Sequence, residues 1–319
     1  MKLKNLFNQS FILLIAGMII FSSCKRDENV TASTNTITDI VVSGPSFTTL
    51  ESAVIKADLQ VTLSAAGPYT VFAPNDAAFT ASGITATVLN SLTATQVKDI
   101  LLYHTISAKI NAANVPAGPN AKVITAGGDS IFVTKNANGV FINGIKVNNP
   151  DVAADNGVIH GIEKVLMPAA GNIVETAVAS KLDSLVKAVT IATTAPGGDP
   201  TLAATLSSAK LTVFAPTNSA FTQLLGALSL NRIEDIPVGT LLAVLRYHVV
   251  GGRAFSSDLA NGNLSMLAGG NTTVNLSNGT SGGPTLTGNG NSANKSNIIA
   301  TNIVCRNGVV HLIDRVLIP

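Results

Sequence analysis

The chain has 319 residues, which is the length of about two ordinary domains. Hydrophobic residues make up 46% and charged residues 12%, a composition that excludes a disordered, highly charged protein. Only 4% of the residues are aromatic, so the core must consist mainly of Val, Ile, Leu and Ala. The formal charge of +2 corresponds to Lys2 and Lys4, and the rest of the chain is balanced. A balanced chain gives no reason to expect nucleic acid as a partner.

The first residues have the pattern of an export signal. Lys2 and Lys4 precede an apolar run of 11 residues over 11–21, which is too short to span a bilayer and fits the central region of a secretory signal. The run ends in FSSC, which resembles a bacterial lipobox. We therefore predict a lipoprotein signal peptide over 1–23 and an acylated Cys24. The alternative is an ordinary signal peptide followed by an incidental cysteine.

A polar segment follows Cys24. Lys25 rather than Asp directly after the cysteine resembles the sorting signal of outer-membrane lipoproteins, and the acidic residues Asp27 and Glu28 resemble a surface-export signal. We therefore expect an outer-membrane protein anchored by lipid, with the cell surface and a periplasm-facing orientation both left open. Residues 24–36 are predicted to form the lipidated cysteine and a flexible linker. With Cys24 acylated, Cys305 has no intramolecular partner and is expected to be a small buried hydrophobe.

The first elements after the linker alternate between helices and a short strand. Apolar residues at helical spacing predict one opening amphipathic helix over 47–61: Phe47, Leu50, Val54, Ala57 and Val61. Tyr69 to Ala73 is predicted to be a strand that Pro74 stops. Asn75 or Asp76 then caps a helix with Phe79 on its inner face. Thr93 and Gln96 have the form of a capping box before a further helix.

The rest of the first half predicts strands around turns at Asn138-Gly139 and Asn143-Gly144. The corresponding stretch of the second half, 262–297, is rich in Gly, Asn, Ser and Thr. We predict long, poorly packed hairpins there rather than a linker, because strand segments such as 272–276 persist.

Three motifs occur twice and in the same order. TVFAPNDAAF at 70–79 recurs as TVFAPTNSAF at 212–221, and Tyr103-His104 recurs as Tyr247-His248. NGVIHGIEKVLMP at 156–168 recurs as NGVVHLIDRVLIP at 307–319. The spacing between the copies grows by a few residues along the chain, as loop insertions would cause. Two copies of one domain explain this pattern, whereas a short-period solenoid does not.

These motifs resemble those of the fasciclin (FAS1) family over roughly residues 37–319. The resemblance implies an α+β fold of two tandem FAS1-like modules, 37–170 and 171–319, each a β-sandwich wedge packed with several α-helices. It also implies a role in adhesion or extracellular association without enzymatic activity.

All four histidines lie inside the repeated motifs. His104 and His248 lie on the apolar stripes of their helices, and His160 and His311 share strand faces with apolar residues. We predict that these imidazoles are structural and hydrogen-bonded in the core. A metal ligand and a pH switch are the alternatives, although no pair has the spacing of metal ligands.

In animal members of the family, a Tyr-His region and an Asp-Ile element are linked to integrin binding. Tyr103, His104, Tyr247 and His248 match the first element, and Asp151 with Val152 matches the second. The resemblance places Asn297 at the acidic position of the second copy. The alternative for Asp151 is that it caps or tightens a turn after Pro150.

Known catalytic motifs are missing from the sequence. It has no G-x-S-x-G, H-E-x-x-H, P-loop or dinucleotide-binding pattern, so we predict no catalytic residue, cofactor or metal. The expected function is adhesion or matrix association through a protein or glycan partner. A glycan- or small-ligand-binding accessory of an uptake system and a purely structural envelope protein are the alternatives. Asp129-Ser130-Ile131 and Asp183-Ser184-Leu185 resemble a bacterial O-glycosylation pattern, and the sequence leaves their modification open.

Overall fold

A computed structural model describes residues 35–277, 279, 283–291 and 294–319. The predicted leader, Cys24 and most of the linker lie outside the described residues. Thr36 closes a capping box with Asp39 at the first helix, so the fold includes the last residue of the predicted linker. We call residues 37–170 module 1 and residues 171–319 module 2. No helix in the described part of the chain is both long and apolar enough to cross a membrane.

Module 1 begins with helices and ends with strands. Its helices are α1 (Ile37–Ser43), α2 (Thr48–Lys56), α3 (Gln60–Ser64), α4 (Asp76–Ala81), α5 (Ala86–Ser91) and α6 (Ala94–Tyr103). Its strands are β1 (Tyr69–Pro74), β2 (Thr105–Ile106), β3 (Gly118–Ile124), β4 (Ser130–Asn136), β5 (Gly139–Ile142), β6 (Ile145–Ala154) and β7 (Gly157–Ile162).

Local sequence signals account for several of these boundaries. The side chain of Asn75 caps α4, as predicted, and Phe79 is buried on its inner face. Thr93 and Gln96 form the predicted capping box at α6. The turn at Asn143 and Gly144 separates β5 from β6 with both residues at positive φ, which Asn and Gly tolerate best.

The seven strands of module 1 form one curled sheet in the order β2-β1-β7-β6-β5-β4-β3. β1 pairs in parallel with β7, and all other neighbours are antiparallel. One core lies between the helices and the β1–β7 part of the sheet. A second core lies inside the wedge that the curled sheet encloses. Each module is therefore α+β, with a wedge of strands beside several helices.

Module 2 repeats this order. Its helices are α7 (Ile173–Ala179), α8 (Asp183–Thr194), α9 (Thr201–Ser208), α10 (Asn218–Ala227) and α11 (Val238–Arg246). Its strands are β8 (Leu211–Pro216), β9 (Val249–Gly251), β10 (Gly262–Ser265), β11 (Asn271–Asn275), β12 (Thr285–Thr287), β13 (Ser296–Cys305) and β14 (Gly308–Ile313). The sheet order is β10-β11-β12-β13-β14-β8-β9, with β8 and β14 parallel.

The single opening helix predicted over 47–61 is wrong. The chain breaks between α2 and α3, where Asp58 has a φ of 53°, a conformation that a helix does not contain. Val61 consequently points outward and is 80% exposed. The apolar residues upstream of the break, Leu50 and Val54, are buried as predicted.

The described part of the stretch 262–297 contains β10, β11, β12 and the beginning of β13, so strands persist there as predicted, but the stretch is not poorly packed. The side chains of Thr272, Thr285 and Leu286 are at most 1% exposed. Leu286 and Val274 belong to the core inside the wedge of module 2. Its polar composition was misleading because threonines buried in a sheet pack through their methyl groups.

Candidate functional site

The Tyr-His motif ends a helix inside each module rather than on its surface. His104 follows α6 and is 2% exposed. Its Nε2 accepts a hydrogen bond from the backbone N–H of Leu166 (2.9 Å), and its Nδ1 lies 2.7 Å from the carbonyl of Ile100. Because an N–H can only donate, the ring proton must be on Nδ1, which donates to Ile100. The neutral imidazole thus uses both nitrogens.

His248 repeats this arrangement in module 2. Its Nε2 accepts from the N–H of Leu317 (2.9 Å), and its Nδ1 donates to the carbonyl of Val244 (2.7 Å). Burial away from water lowers the pKa of both His104 and His248 to about 4, because it disfavours the charged ring. Both rings are therefore uncharged at neutral pH.

The tyrosines of the motif are equally internal. The Tyr103 hydroxyl donates to the carbonyl of Ser130 (3.1 Å) and accepts from the Asn143 side chain (2.9 Å). Burial raises the pKa of Tyr103 to about 12. The Tyr247 hydroxyl donates to the carbonyl of Asn271, and Tyr247 is 1% exposed. Neither tyrosine presents its side chain to a partner in this conformation.

The strand histidines use the opposite tautomer. Nδ1 of His160 accepts from the N–H of Asp151 (3.1 Å), so Nε2 carries the proton and donates to the carbonyl of Ile110 (2.8 Å). The ring stacks on Phe72 with 5.7 Å between centroids. His160 therefore joins β7 to β6 and to the loop after β2.

The counterpart of Asp151 in module 2 is Asn302, and the assignment to Asn297 is wrong. Both Asp151 and Asn302 lie nine residues before the histidine that accepts from their N–H, and both have positive φ, 59° and 65°. Asn297 instead donates its N–H to the carboxylate of Asp314 (2.7 Å). The error arose because insertions before this strand shift the alignment by several residues.

The Asp151 side chain holds a neighbouring turn. Its Oδ1 accepts from the N–H of Ala112 (2.9 Å), the first residue of a 3-10 turn over Ala112–Asn114. The Lys135 ammonium donates to the carbonyls of Ala112 (3.0 Å) and Ala113 (3.1 Å) in the same turn. The carboxylate of Asp151 is 37% exposed, whereas Val152 packs against the core. We call Ala112–Asn114 with Val115 the lid segment.

The residues singled out in the sequence do not converge on one site. Phe72 lies between two of them: its N–H donates to the carbonyl of His104 (2.9 Å), and its ring stacks on His160. His104 therefore serves the helical core, and His160 and Asp151 serve the wedge. The described residues contain no group of three or more His, Cys, Asp or Glu side chains that would hold a metal ion.

Sequence reasoning missed two buried asparagines, Asn156 and Asn307, which begin the repeated NGV motif. The Asn156 side chain accepts from the N–H of Ile37 (3.0 Å) and donates to the carbonyls of Leu63 (2.8 Å) and Ala65 (2.9 Å). Asn307 makes the same three kinds of bond in module 2. The recurrence of Asn before Gly-Val was the available signal, and it indicates a side chain that ties the first helices to the sheet.

The two modules contact each other through a specific seam. Module 1 contributes side chains of β3 and β4, and module 2 contributes residues 253–258. These residues overlap the segment 256–259, which corresponds to the lid segment. Among the described residues, three side-chain hydrogen bonds link these segments: Asn120 Nδ2 to the Arg253 carbonyl (2.7 Å), Thr134 Oγ1 to Asp258 Oδ1 (2.9 Å) and Asn136 Nδ2 to the Ser257 carbonyl (3.0 Å).

Arg253 is the centre of this seam. Its guanidinium lies 4.0 Å from the centroid of the Phe132 ring, a cation–π contact, and the Phe132 ring lies 6.1 Å from that of Phe255. The same guanidinium donates to the carbonyls of Cys305 and Arg306 (3.2 Å each). Phe255 is fully buried by these contacts. The seam therefore has the aromatic and arginine contacts typical of a specific interface.

The seam borders a cleft of about 670 Å³ that both modules line. Lys146, Glu163 and Lys164 are its exposed charged residues, and none of them has a hydrogen-bonded or ionic side-chain partner among the described residues. Phe141 and Met167 supply apolar surface. We call this space the inter-module cleft.

A different cavity of about 300 Å³ lies inside the wedge of module 1, beneath the lid segment. Its walls are apolar and include Phe72, Val133 and Ile142. Lys109 and Asn114 are exposed residues of its lining, so the cavity opens to solvent beside them. We call it the wedge cavity.

Cys305, the second cysteine, is buried at the end of β13. Burial raises the pKa of its thiol, which keeps the sulfur protonated and a poor nucleophile. The thiol lies 3.2 Å from the hydroxyl of Thr176 and is free of disulfide bonding.

The fold and the internal motifs define a tandem pair of α+β modules whose repeated residues serve packing. The model of the Fasciclin domain matches residues 45–168 and 183–319, and the chain belongs to this family. Protein sll1483 of Synechocystis sp. (strain ATCC 27184 / PCC 6803 / Kazusa) is 39% identical over 142 residues, which cover 43% of this chain and 76% of that protein.

Similarity also extends to animal proteins. Transforming growth factor-beta-induced protein ig-h3 of Oryctolagus cuniculus is 32% identical over 146 residues, 45% of this chain and 21% of that protein. Periostin of Homo sapiens is 26% identical over 251 residues, 76% of this chain and 27% of that protein. The matched region therefore spans about a quarter of these two relatives. Among solved structures, a FAS1 domain pair from the insect cell adhesion molecule fasciclin I aligns with a TM-score of 0.40 and 16% identity, covering 86% of this chain and 97% of that one.

Proposed function

We propose that the protein is a non-enzymatic adhesion or matrix-association lipoprotein that displays two fasciclin modules from the outer membrane. The observation that carries this proposal is membership of the fasciclin family over both modules, together with the burial of all four motif histidines. Side chains committed to internal hydrogen bonds are not poised for catalysis. We therefore expect a partner to bind exposed surfaces that the two modules form together.

The inter-module cleft is the surface that requires both modules. Its free charges at Lys146, Lys164 and Glu163 lie next to apolar surface, a combination that suits a polar macromolecular partner. Binding of residues 25–319 to intact cells or extracellular matrix should exceed that of residues 25–170 or 171–319 by roughly 100-fold if both modules engage the partner. Equal binding by either module alone would refute a joint surface.

Membrane attachment is tested separately. Cys24→Ser should move the protein from the outer-membrane fraction of a density gradient, because it removes the proposed acylation site. A Cys305→Ser variant is the matched control, since that cysteine is buried in the fold. Retention of the Cys24→Ser variant in the membrane fraction would contradict the proposed anchor.

A glycan-binding accessory of an uptake system is the second candidate, and the volume of the inter-module cleft favours it. A cleft of about 670 Å³ between two modules falls within the range of small-ligand sites. Saturable binding of short glycans in calorimetry, lost in a Lys164→Glu variant, would support this function. The absence of binding across a broad glycan array would remove it.

A further inference from the structure

We propose that the wedge cavity binds the hydrocarbon chain of a fatty acid, with the carboxylate held at Lys109. This inference is independent of the adhesive role and concerns a different surface. It rests on the lining of the cavity, on the free charge at its mouth and on a comparison with module 2.

The lining excludes a polar ligand body. Apart from residues at the mouth, the walls are aliphatic side chains together with Phe72 and His160. Both ring nitrogens of His160 are already hydrogen-bonded, to the N–H of Asp151 and the carbonyl of Ile110. A polar ligand group would therefore lose its hydrogen bonds to water and find no replacement in the cavity, which is unfavourable. A methylene chain makes no hydrogen bonds to water, and its burial is favourable.

The mouth supplies one free positive charge. The carboxylate of Asp151 is used by the N–H of Ala112, and the Lys135 ammonium is used by the carbonyls of the lid segment. The Lys109 ammonium has no hydrogen-bond or ion-pair partner among the described residues. Asn114, another exposed residue of the lining, adds a side-chain N–H donor. An ammonium and an amide at the end of an apolar cavity match a carboxylate on a hydrocarbon chain.

Module 2 has larger residues at two positions that line the cavity in module 1. The pattern of hydrogen bonds and strand pairing aligns Val115 with Leu259, and Val147 with Ile298. Each replacement adds one methylene to the interior. Leu259 and Ile298 are buried in the wedge core of module 2, each 8% exposed. The corresponding wedge can therefore be packed with larger residues.

The test uses residues 25–319. This fragment contains the compact unit 33–319 and lacks Cys24, so the proposed acyl anchor cannot compete with the added fatty acid. Calorimetric titration with saturated fatty acids from octanoate to hexadecanoate should give one saturable site. Affinity should rise about four-fold per methylene until the chain fills the cavity. Alkyl alcohols of equal length should bind about ten-fold more weakly, because they lack the charge.

Two variants locate the site. Lys109→Gln should lower fatty-acid affinity about ten-fold and leave alcohol affinity unchanged, whereas Lys98→Gln, at an exposed lysine of α6, should change neither. The double variant Val115→Leu/Val147→Ile, which introduces the residues of module 2, should shift the optimum to a shorter chain. Its unfolding curve checks that it folds.

Three results would overturn the proposal. The first is no saturable binding of any chain length, and the second is equal affinity for acids and alcohols. The third is a folded double variant with an unchanged chain-length optimum, since binding would then lie elsewhere, for example in the apolar pocket of about 290 Å³ among the helices of module 2.

Discussion

Acid should destabilise each module through the buried imidazole that follows its motif tyrosine. In module 2 His311 adds to the effect of His248, because burial lowers the pKa of His311 as well. In module 1 the imidazole is His104, whose Nε2 accepts from the N–H of Leu166. A proton added to Nε2 would point at that N–H, and the charge would be buried. Burial lowers the pKa of His104 in the folded state to about 4, whereas the ring in the unfolded chain has the ordinary histidine pKa of about 6.5. The unfolded chain therefore binds a proton that the folded chain does not between these values, and the free energy of unfolding falls as the pH drops from about 6.5 to about 4.

The size of this effect follows from the two pKa values. Between pH 7.5 and 5.0 the linkage amounts to about 2 kcal/mol for His104, and it approaches about 3 kcal/mol near pH 4. His248 contributes a similar amount to module 2 through the same geometry. Above about pH 7 both rings are neutral in the folded and the unfolded chain, so their titration should no longer change the free energy of unfolding.

The assay is urea unfolding of residues 25–319 at pH 7.5 and 5.0, followed by far-ultraviolet circular dichroism. His104→Asn should be less stable than the parent at pH 7.5 by about 1–3 kcal/mol, because the Leu166 N–H loses its acceptor. The same variant should lose about 2 kcal/mol less than the parent on acidification, since the titrating ring is gone. Carboxylate titrations are common to both proteins and cancel in this difference. An identical pH dependence in parent and variant would refute the reasoning.

Three further substitutions test the contacts described above in the same unfolding assay. Gly144→Ala should lower the free energy of unfolding by about 1–2 kcal/mol more than Gly83→Ala. Both glycines have positive φ, but a Cβ on Gly144 would lie 2.5 Å from Asn302 Nδ2, whereas Gly83 faces open space. Equal costs would contradict close packing at Gly144. The stability of Asp151→Asn should stay within about 0.5 kcal/mol of that of the parent, because an amide oxygen can still accept from the N–H of Ala112. Asp151→Ala should cost about 1–2 kcal/mol. Equal stability of the two variants would argue against the cap. Asn156→Ala should cost about 3 kcal/mol, since three buried backbone groups lose their partner, and a cost below about 1 kcal/mol would exclude that role.

The sequence predicted the features that depend on neighbouring residues, such as helix caps and the inner face of a helix. The capping box of Thr93 and Gln96, the cap at Asn75 and the burial of Phe79 each depend on residues within one helical turn. The burial of His104 followed from helical periodicity. Such features need no knowledge of the rest of the chain.

Features set by distant contacts were not predictable in the same way. The parallel pairing of β1 with β7 joins Tyr69 to Gly157, and periodicity carries no information about that partner. The counterpart of Asp151 was misplaced because the loop insertions before β13 are visible only as a drift in spacing. The break at Asp58 was missed because a single residue with positive φ leaves the apolar pattern nearly intact.

The seam uses different surfaces of the two modules, so it is heterologous. Each module also has its own copy of the surface that its partner module contributes to the seam. These two copies lie outside the seam: the lid segment side of module 1 and the β11 face of module 2. If the lid segment side of one chain could bind the β11 face of the next chain in the same way, chains would add head to tail. Such heterologous contacts form filaments unless the rotation between subunits closes a ring.

The residues at the free ends argue against such growth. Arg253 corresponds to Lys109, because each directly follows the residue whose carbonyl accepts a hydrogen bond from a strand threonine: Ala108 from Thr70, and Gly252 from Thr212. Phe132 corresponds to Thr273, because each lies two residues after the carbonyl that the motif tyrosine binds. A lysine and a threonine cannot reproduce the contact of a guanidinium on an aromatic ring that Arg253 makes with Phe132. The cation–π contact of the seam therefore has no counterpart at the free ends, and a contact between chains at these ends would lack it.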